Sequence, residues 1–128
     1  MMCHALVIED DYLAADYVAA LAEIAGATTS EIAQTEGAAV EAARKRRPDI
    51  ILCDVRLEVG CGRAAVTRIE AEIGSIPVIY VTGEPDACAQ GDGVLAKPFH
   101  RDAFLDAFRR HATTRVSEGS TSPRQAAG

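Results

Sequence analysis

Short apolar runs alternate with segments of helical periodicity along most of this chain. The run Ile50-Ile51-Leu52-Cys53 is apolar without interruption, which is typical of a central parallel strand that is buried on both faces. Strands that run parallel need a crossover connection, usually a helix, and the segments of helical periodicity supply one after most of the apolar runs. With 128 residues, the chain is long enough to bury a core without disulfides or metals. The pattern therefore predicts a single α/β domain.

Turn residues and capping residues divide the chain into strands and helices. Strands are predicted at residues 5–9, 28–33, 49–54, 76–82 and 94–96. Asp11 and Thr35 are the expected N-caps of the first two helices, and Gly26 and Gly74 should end the first and third. The last helix is predicted at residues 100–111. Each of the four helices is predicted to have an apolar face, formed by Leu13, Tyr17, Ala20, Leu21 and Ile24 in the first, Ala39, Val40 and Ala43 in the second, Ala65, Val66 and Ile69 in the third, and Phe104, Leu105 and Phe108 in the last.

Charge and composition exclude several classes of protein. A formal charge of −6 at pH 7 argues against a nucleic-acid binder that uses a simple basic patch. No apolar run is long enough to span a bilayer, and the N-terminus lacks a signal-peptide pattern, so we expect a cytoplasmic protein without a membrane partner. The cysteines form no CxxC pair and the histidines have no metal-ligand spacing, so we expect reduced, mostly buried thiols at Cys3, Cys53, Cys61 and Cys88.

Polar side chains of different chemistry follow four of the predicted strands. Glu9 closes the first predicted strand and Asp10 follows it, Asp54 closes the third, Thr82 closes the fourth, and Lys97 follows the fifth. Each has a structural explanation when taken alone, such as a helix cap. Taken together they suggest a site, because ligands of an open parallel sheet bind at the carboxyl ends of its strands.

The expected strand order brings the acidic residues together. The flavodoxin-like order 2-1-3-4-5, with helices on both faces of a doubly wound sheet, makes strands one and three neighbours. Glu9, Asp10 and Asp54 would then repel one another unless a hard cation such as Mg²⁺ neutralised them. With the ammonium group of Lys97 and the hydroxyl of Thr82, the set predicts a phosphoryl-transfer site that acts by positioning and electrostatics.

Four segments of the chain resemble the receiver domain of two-component response regulators. They are residues 6–11, 49–54, 77–83 and 95–99, and the resemblance extends from about residue 4 to residue 113. It implies a bacterial signalling domain in which Asp54 takes a phosphoryl group from a phosphohistidine. The donor would be a sensor histidine kinase or a histidine phosphotransfer protein, and a downstream protein could read the result. Such a domain accepts the group and hydrolyses it slowly, and it is not a turnover enzyme.

The resemblance also assigns roles to individual residues. Glu9 and Asp10 match the metal-binding acidic pair, and Asp54 with the backbone carbonyl of Arg56 would complete the protein ligands of Mg²⁺. Thr82 and Lys97 match the residues that contact the phosphoryl group and relay its presence. Asp11 is interpreted as the cap of the first helix.

The sequence departs from the family pattern between strands four and five. Val94 stands where many receivers carry Tyr or Phe, and only 15 positions separate Thr82 from Lys97. We therefore expect a shortened or missing fourth helix, a contraction similar to that of some receivers in alphaproteobacterial general-stress and stand-alone regulators. The phosphorylation signal should then leave through residues 83–93. We also expect Arg56 and Glu84 to lie at the mouth of the site and to tune the lifetime of the phosphoryl group.

Two alternatives remain open beside a working receiver at residues 1–116. One is a degenerate receiver that acts only as a protein-interaction module. The other is a small Mg²⁺-dependent phosphatase of the haloacid-dehalogenase type, although such enzymes normally carry a second Asp where this chain has Arg56. Residues 117–128, which begin with the polar run Ser-Glu-Gly-Ser-Thr-Ser-Pro, are predicted to be a disordered tail or the stub of a linker.

Overall fold

Strands and helices alternate strictly up to the fourth strand, as the sequence pattern predicted. The computed structural model describes residues 2–83 and 93–120. In chain order the elements are β1 (His4–Ile8), α1 (Tyr12–Ala25), β2 (Thr29–Ala33), α2 (Glu36–Lys45), β3 (Ile50–Cys53), α3 (Gly62–Ile73), β4 (Val78–Thr82), β5 (Gly93–Ala96) and α4 (Arg101–Ser120).

The five strands form one parallel sheet in the order β2-β1-β3-β4-β5, which confirms the predicted topology. Ile8 pairs with Cys53 across β1 and β3, and Thr82 pairs with Ala96 across β4 and β5. The residue that follows each of these strands therefore lies at the same edge of the sheet. This register is what gathers the polar strand ends.

Helices cover both faces of the sheet, and each face has its own core. The α1 and α4 side buries residues such as Val7, Leu52 and Phe104, whereas the α2 and α3 side buries Leu6 and Ile51. The side chains of β1, β3 and β4 are buried throughout, as expected for parallel strands with helices on both faces.

The predicted helix caps are present. Asp11 Oδ1 accepts the backbone N–H of Leu13 at 3.0 Å, and Thr35 Oγ1 accepts that of Ala38 at 3.0 Å. Gly26 ends α1 with a φ of 135°, a conformation that side chains disfavour. The contacts of Asp11 and Thr35 satisfy N–H groups that have no partner inside the helix.

The predicted buried face of α1 is wrong except at Leu21. Leu13 is 80% exposed, Tyr17 and Ile24 are each 51% exposed, and Ala20 is also exposed. The buried face consists mainly of small residues and is formed by Ala15, Val18, Ala19, Leu21 and Ala22. Because this helix is apolar on almost all sides, periodicity alone does not select a face.

Helix α4 is longer than the sequence predicted. It extends to Ser120, beyond the expected end at His111 and into the segment interpreted as a tail, while Phe104, Leu105 and Phe108 are buried as predicted. No helix in residues 2–83 and 93–120 is both long and apolar enough to cross a membrane. Residues 121–128 and 84–92 lie outside the described residues. The domain boundary at 116, the shortened helix and the role of Glu84 therefore stay predictions.

The described cysteines are thiols, but they are less buried than expected. Cys53 is buried in β3, Cys3 is half-buried and Cys61 is exposed. Cys88 lies outside the described residues. The expectation of mostly buried thiols is therefore correct for Cys53 and wrong for Cys61.

His4 is a buried histidine that should make the stability of the fold depend on pH. Its side chain is 5% exposed, its Nδ1 lies 2.8 Å from the hydroxyl of Thr29, and its backbone N–H donates to Asp49 Oδ2 at 2.8 Å. Burial, helped by the charge of Arg46, lowers the pKa of His4 from its ordinary value of 6.5, against smaller opposing effects of Glu31 and Asp49. As the pH falls below 6.5, the unfolded chain binds a proton that the folded chain resists.

The free energy of unfolding should therefore decrease from pH 6.5 down to the lowered pKa of His4. In His4→Gln, which has no imidazole to protonate, this part of the decrease should disappear. Urea unfolding of both proteins between about pH 7.5 and pH 5.5 measures the difference. His100→Gln, at an exposed position, is the matched control. Parallel pH profiles for His4→Gln and the wild type would contradict the assignment.

Candidate functional site

Three carboxylates meet at the carboxyl edge of the sheet. Glu9, Asp10 and Asp54 each offer an oxygen atom that lies within 4.8 Å of the others. Glu9 is 4% exposed, and the other two residues are half-buried. The pairing of β1 with β3 brings them together, because Glu9 follows β1 and Asp54 follows β3.

Lys97 partly neutralises this acidic cluster. Its Nζ donates to Glu9 Oε1 at 2.9 Å and to Asp54 Oδ2 at 3.3 Å. Its backbone N–H donates to the carbonyl oxygen of Thr82 at 2.9 Å, so the pairing of β4 and β5 continues to Lys97 and delivers the ammonium group to the edge. A residue far along the chain from Glu9 thus becomes its ion-pair partner.

Burial and charge act against each other in this group. Burial raises the pKa of Glu9, helped by the charge of Asp54 and opposed by the Lys97 ammonium group and the Asp11 amide. Burial by itself would lower the pKa of Lys97, but its bond to Glu9 and the charge of Asp54 raise it overall. The pKa values of Glu9 and Lys97 can both be raised because Lys97 faces two carboxylates, whereas Glu9 faces one ammonium group and another carboxylate.

The cluster has the donor chemistry of a divalent cation site. Three carboxylates face a single ammonium group, so ionised side chains would leave excess negative charge at the edge. Oxygen-only ligands suit hard cations such as Mg²⁺. The residues present therefore fit the cation that the sequence predicted.

The β3–α3 loop, residues 54–61, closes one side of the cluster with its backbone. The N–H of Arg56 donates to Asp54 Oδ1 at 3.3 Å, and the N–H of Glu58 donates to Asp10 Oδ2 at 2.8 Å. The backbone of Arg56 thus lies beside Asp54. The role of its carbonyl as a metal ligand stays a prediction.

Thr82 lies at the same edge, at the end of β4. It is 1% exposed, and its pairing with Ala96 places it one residue before Lys97 in the register of β5. The contact of its hydroxyl with a phosphoryl group stays a prediction. Val94 of β5, the residue that stands where many receivers carry Tyr or Phe, is 40% exposed.

The sequence analysis missed three residues that shape this edge. Glu58 contributes the amide that binds Asp10, Glu36 of α2 binds the same loop, and Gly62 lies directly against the backbone of Asp54. Gly60 in the loop and Gly62 at the start of α3 were the available signal, because glycine often marks a close approach of backbone.

Comparison with known proteins identifies a relationship that covers most of the chain. Residues 5–109 match the family described as the response regulator receiver domain. The phyllosphere-induced regulator PhyR of Methylorubrum extorquens is 31% identical over 105 residues, which cover 77% of this chain and 39% of PhyR. TcrX of Mycobacterium tuberculosis is 28% identical over 127 residues, which cover 90% of this chain and 53% of TcrX.

The fold is similar to that of solved proteins. The crystal structure of NtrX from Brucella abortus matches with a TM-score of 0.85 at 22% identity, over 95% of this chain and 29% of NtrX. At that identity the likeness concerns the fold alone. The chain spans about half or less of the length of these three proteins.

Proposed function

Because the chain belongs to the response regulator receiver domain family, we propose that it accepts a phosphoryl group on the carboxylate of Asp54. The donor is a phosphohistidine on a sensor histidine kinase or a histidine phosphotransfer protein. The observation that carries the proposal is the position of Asp54, which directly follows the buried strand β3 and lies beside an acidic pair and the ammonium group of Lys97. Membership of this family leaves the phosphatase alternative without support.

The geometry suits direct attack by the carboxylate. One oxygen of Asp54 accepts the N–H of Arg56 and the other accepts Lys97 Nζ, so the side chain is oriented from two directions. An oxygen of the ionised carboxylate attacks phosphorus and forms an O–P bond, while the P–N bond to the donor imidazole breaks and its electron pair stays on the ring nitrogen. Because the acceptor is already an anion, no general base is needed.

Positive charge beside Asp54 supports the transfer. The ammonium group of Lys97 lies between Glu9 and Asp54, and it would stabilise negative charge on a phosphoryl group attached to Asp54. When bound by Glu9, Asp10, Asp54 and the carbonyl of Arg56, Mg²⁺ would supply the remaining charge neutralisation for the phosphoryl oxygens.

The proposal is tested with a small phosphodonor. Acetyl phosphate and Mg²⁺ should add one phosphoryl group to the protein, detected by intact mass. Peptide mapping after borohydride reduction should locate it on Asp54. A kinase is not needed because the transfer chemistry resides in the receiver. If the protein stays unmodified under conditions that label another receiver, it is a degenerate receiver that acts only as an interaction module.

Mg²⁺ should stabilise the folded protein. A ligand that binds only the native state adds about 2.7 kcal/mol to the free energy of unfolding when its free concentration is roughly 100 times Kd. At an Mg²⁺ concentration well above Kd, the melting temperature should therefore rise by several degrees, as measured by thermal denaturation. The physical reason is that a bound cation offsets the repulsion among the three carboxylates of the cluster.

Asp10→Asn provides the matched comparison. Asparagine keeps an oxygen that can accept the N–H of Glu58, so the loop contact is retained while one negative charge is lost. This variant should melt at the same or a higher temperature than the wild type without metal, and it should respond weakly to Mg²⁺. A wild-type melting curve that Mg²⁺ leaves unchanged would show that the cluster holds no cation.

A further inference from the structure

Glu36, the first residue of α2, binds the β3–α3 loop at a distance from the acidic cluster. Its Oε1 accepts the backbone N–H of Cys61 at 3.1 Å, and its own N–H donates to the carbonyl oxygen of Val59 at 3.3 Å. Its Oε2 accepts Nη1 of Arg68, from α3, at 3.1 Å. One carboxylate thus connects α2, the loop and α3.

The loop is shaped to admit this side chain. Gly60 has a φ of +93°, a conformation that L side chains rarely adopt. A Cβ at this position would lie 2.5 Å from Glu36 Cβ and 2.8 Å from Glu36 Oε1. The glycine therefore leaves the space that the Glu36 carboxylate needs to reach Cys61.

The contact is transmitted to Asp54 through the loop backbone. Cys61 forms an antiparallel bridge with Arg56, and the N–H of Arg56 donates to Asp54 Oδ1 at 3.3 Å. The loop has a second attachment, from the N–H of Glu58 to Asp10 Oδ2. That attachment uses Asp10, which is itself a candidate ligand of a cation bound at the cluster. The attachment through Glu36 involves no residue of the cluster.

We propose that Glu36 is a positioning residue for the reaction of Asp54. Through the amide of Cys61 it keeps the backbone of Arg56 beside Asp54 while Asp10 is engaged by a cation. The inference rests on the proposed function, because it concerns the same site. The ion pair with Arg68 holds the carboxylate in place, and the Cys61 amide and the Arg68 hydrogen bond both lower the pKa of Glu36, which keeps it an acceptor.

The test compares Glu36→Ala with Glu36→Gln. Both variants lose the same negative charge, but only glutamine keeps an oxygen that can accept the Cys61 amide. Amide hydrogen exchange of residues 55–61 is measured in the metal-free proteins. The Mg²⁺ concentration that gives half-maximal phosphorylation by acetyl phosphate is measured alongside. Glu41→Ala, which removes an exposed carboxylate from the same helix, is the control.

In Glu36→Ala, amide exchange in the loop should accelerate. The half-maximal Mg²⁺ concentration should rise about 10-fold, because removing a residue that supports metal ligands typically lowers metal affinity by about 10-fold or more. The rate at saturating Mg²⁺ should change less. Glu36→Gln should restore most of the Mg²⁺ response, which a merely electrostatic effect would not allow. Glu41→Ala should behave as the wild type.

Two results would overturn the inference. One is wild-type loop exchange and Mg²⁺ response in Glu36→Ala, and the other is equal defects in Glu36→Ala and Glu36→Gln. Absence of phosphorylation in the wild type would instead contradict the proposed function. Loop exchange and the Mg²⁺ dependence of the melting temperature, measured on all variants, would still decide the role of Glu36.

Discussion

Asp54→Asn is expected to reduce phosphoryl uptake from acetyl phosphate to the level seen without a donor. The amide has no negative charge with which to attack phosphorus, and no other carboxylate of the cluster lies in the same position between Lys97 and the Arg56 amide. Intact mass spectrometry of the wild type and the variant, after equal incubation with Mg²⁺, measures the effect.

The variant should remain folded. Asparagine is nearly the same size and its oxygen can still accept the N–H of Arg56, while Lys97 keeps its bond to Glu9. Circular dichroism checks this. Asp106→Asn is the control, because Asp106 is an exposed residue of α4 that pairs with Arg110, and it should be modified like the wild type. Full labelling of Asp54→Asn would place the acceptor elsewhere.

Gly62→Ala should cause the largest loss of stability among single-methyl changes at this edge. A Cβ on Gly62 would lie 1.9 Å from the carbonyl oxygen of Asp54 and 2.7 Å from Cys53 Sγ, closer than real Cβ atoms approach. The N–H of Gly62 donates to the carbonyl oxygen of Val55 at 2.9 Å, so α3 cannot move away without breaking this bond. We expect a loss of about 3 kcal/mol, the upper end of the usual cost of overpacking.

Gly37→Ala is the matched control for this prediction. Gly37 lies in α2, and a Cβ there would meet nothing within 4 Å. Alanine should therefore stabilise the protein by about 0.4–1 kcal/mol, because it restricts the unfolded chain without a clash in the folded one. Urea unfolding of the two variants compares them directly. Equal effects of the two substitutions would show that Gly62 has room for a side chain.

Several elements were predictable because their signals are local. Asp11, Thr35 and Gly26 act on amides or conformations within a few residues, so the sequence could locate the ends of α1 and the start of α2. The apolar run of β3 and the polar residues after the strands indicated a parallel sheet with reactive ends. For Glu9, Asp10, Asp54 and Lys97, sequence position and strand order together were sufficient to expect proximity.

Other features depend on contacts between distant parts of the chain. The sequence of α1 is apolar around most of its circumference, so only packing on the sheet decided that Ala15 and Ala19 lie inside while Leu13 and Tyr17 lie outside. Small side chains allow the helix to approach the sheet closely, and a long apolar face would keep it farther away.

The support of the Asp54 loop also required tertiary structure. Glu36 and Cys61 are 25 residues apart, and Asp10 and Glu58 are 48 residues apart, so no local pattern links them. The chemical groups at the strand ends could be predicted from the sequence, because a strand end is a local feature. The backbone amides that hold those groups could not be predicted, because such contacts depend on how the loop closes over the sheet.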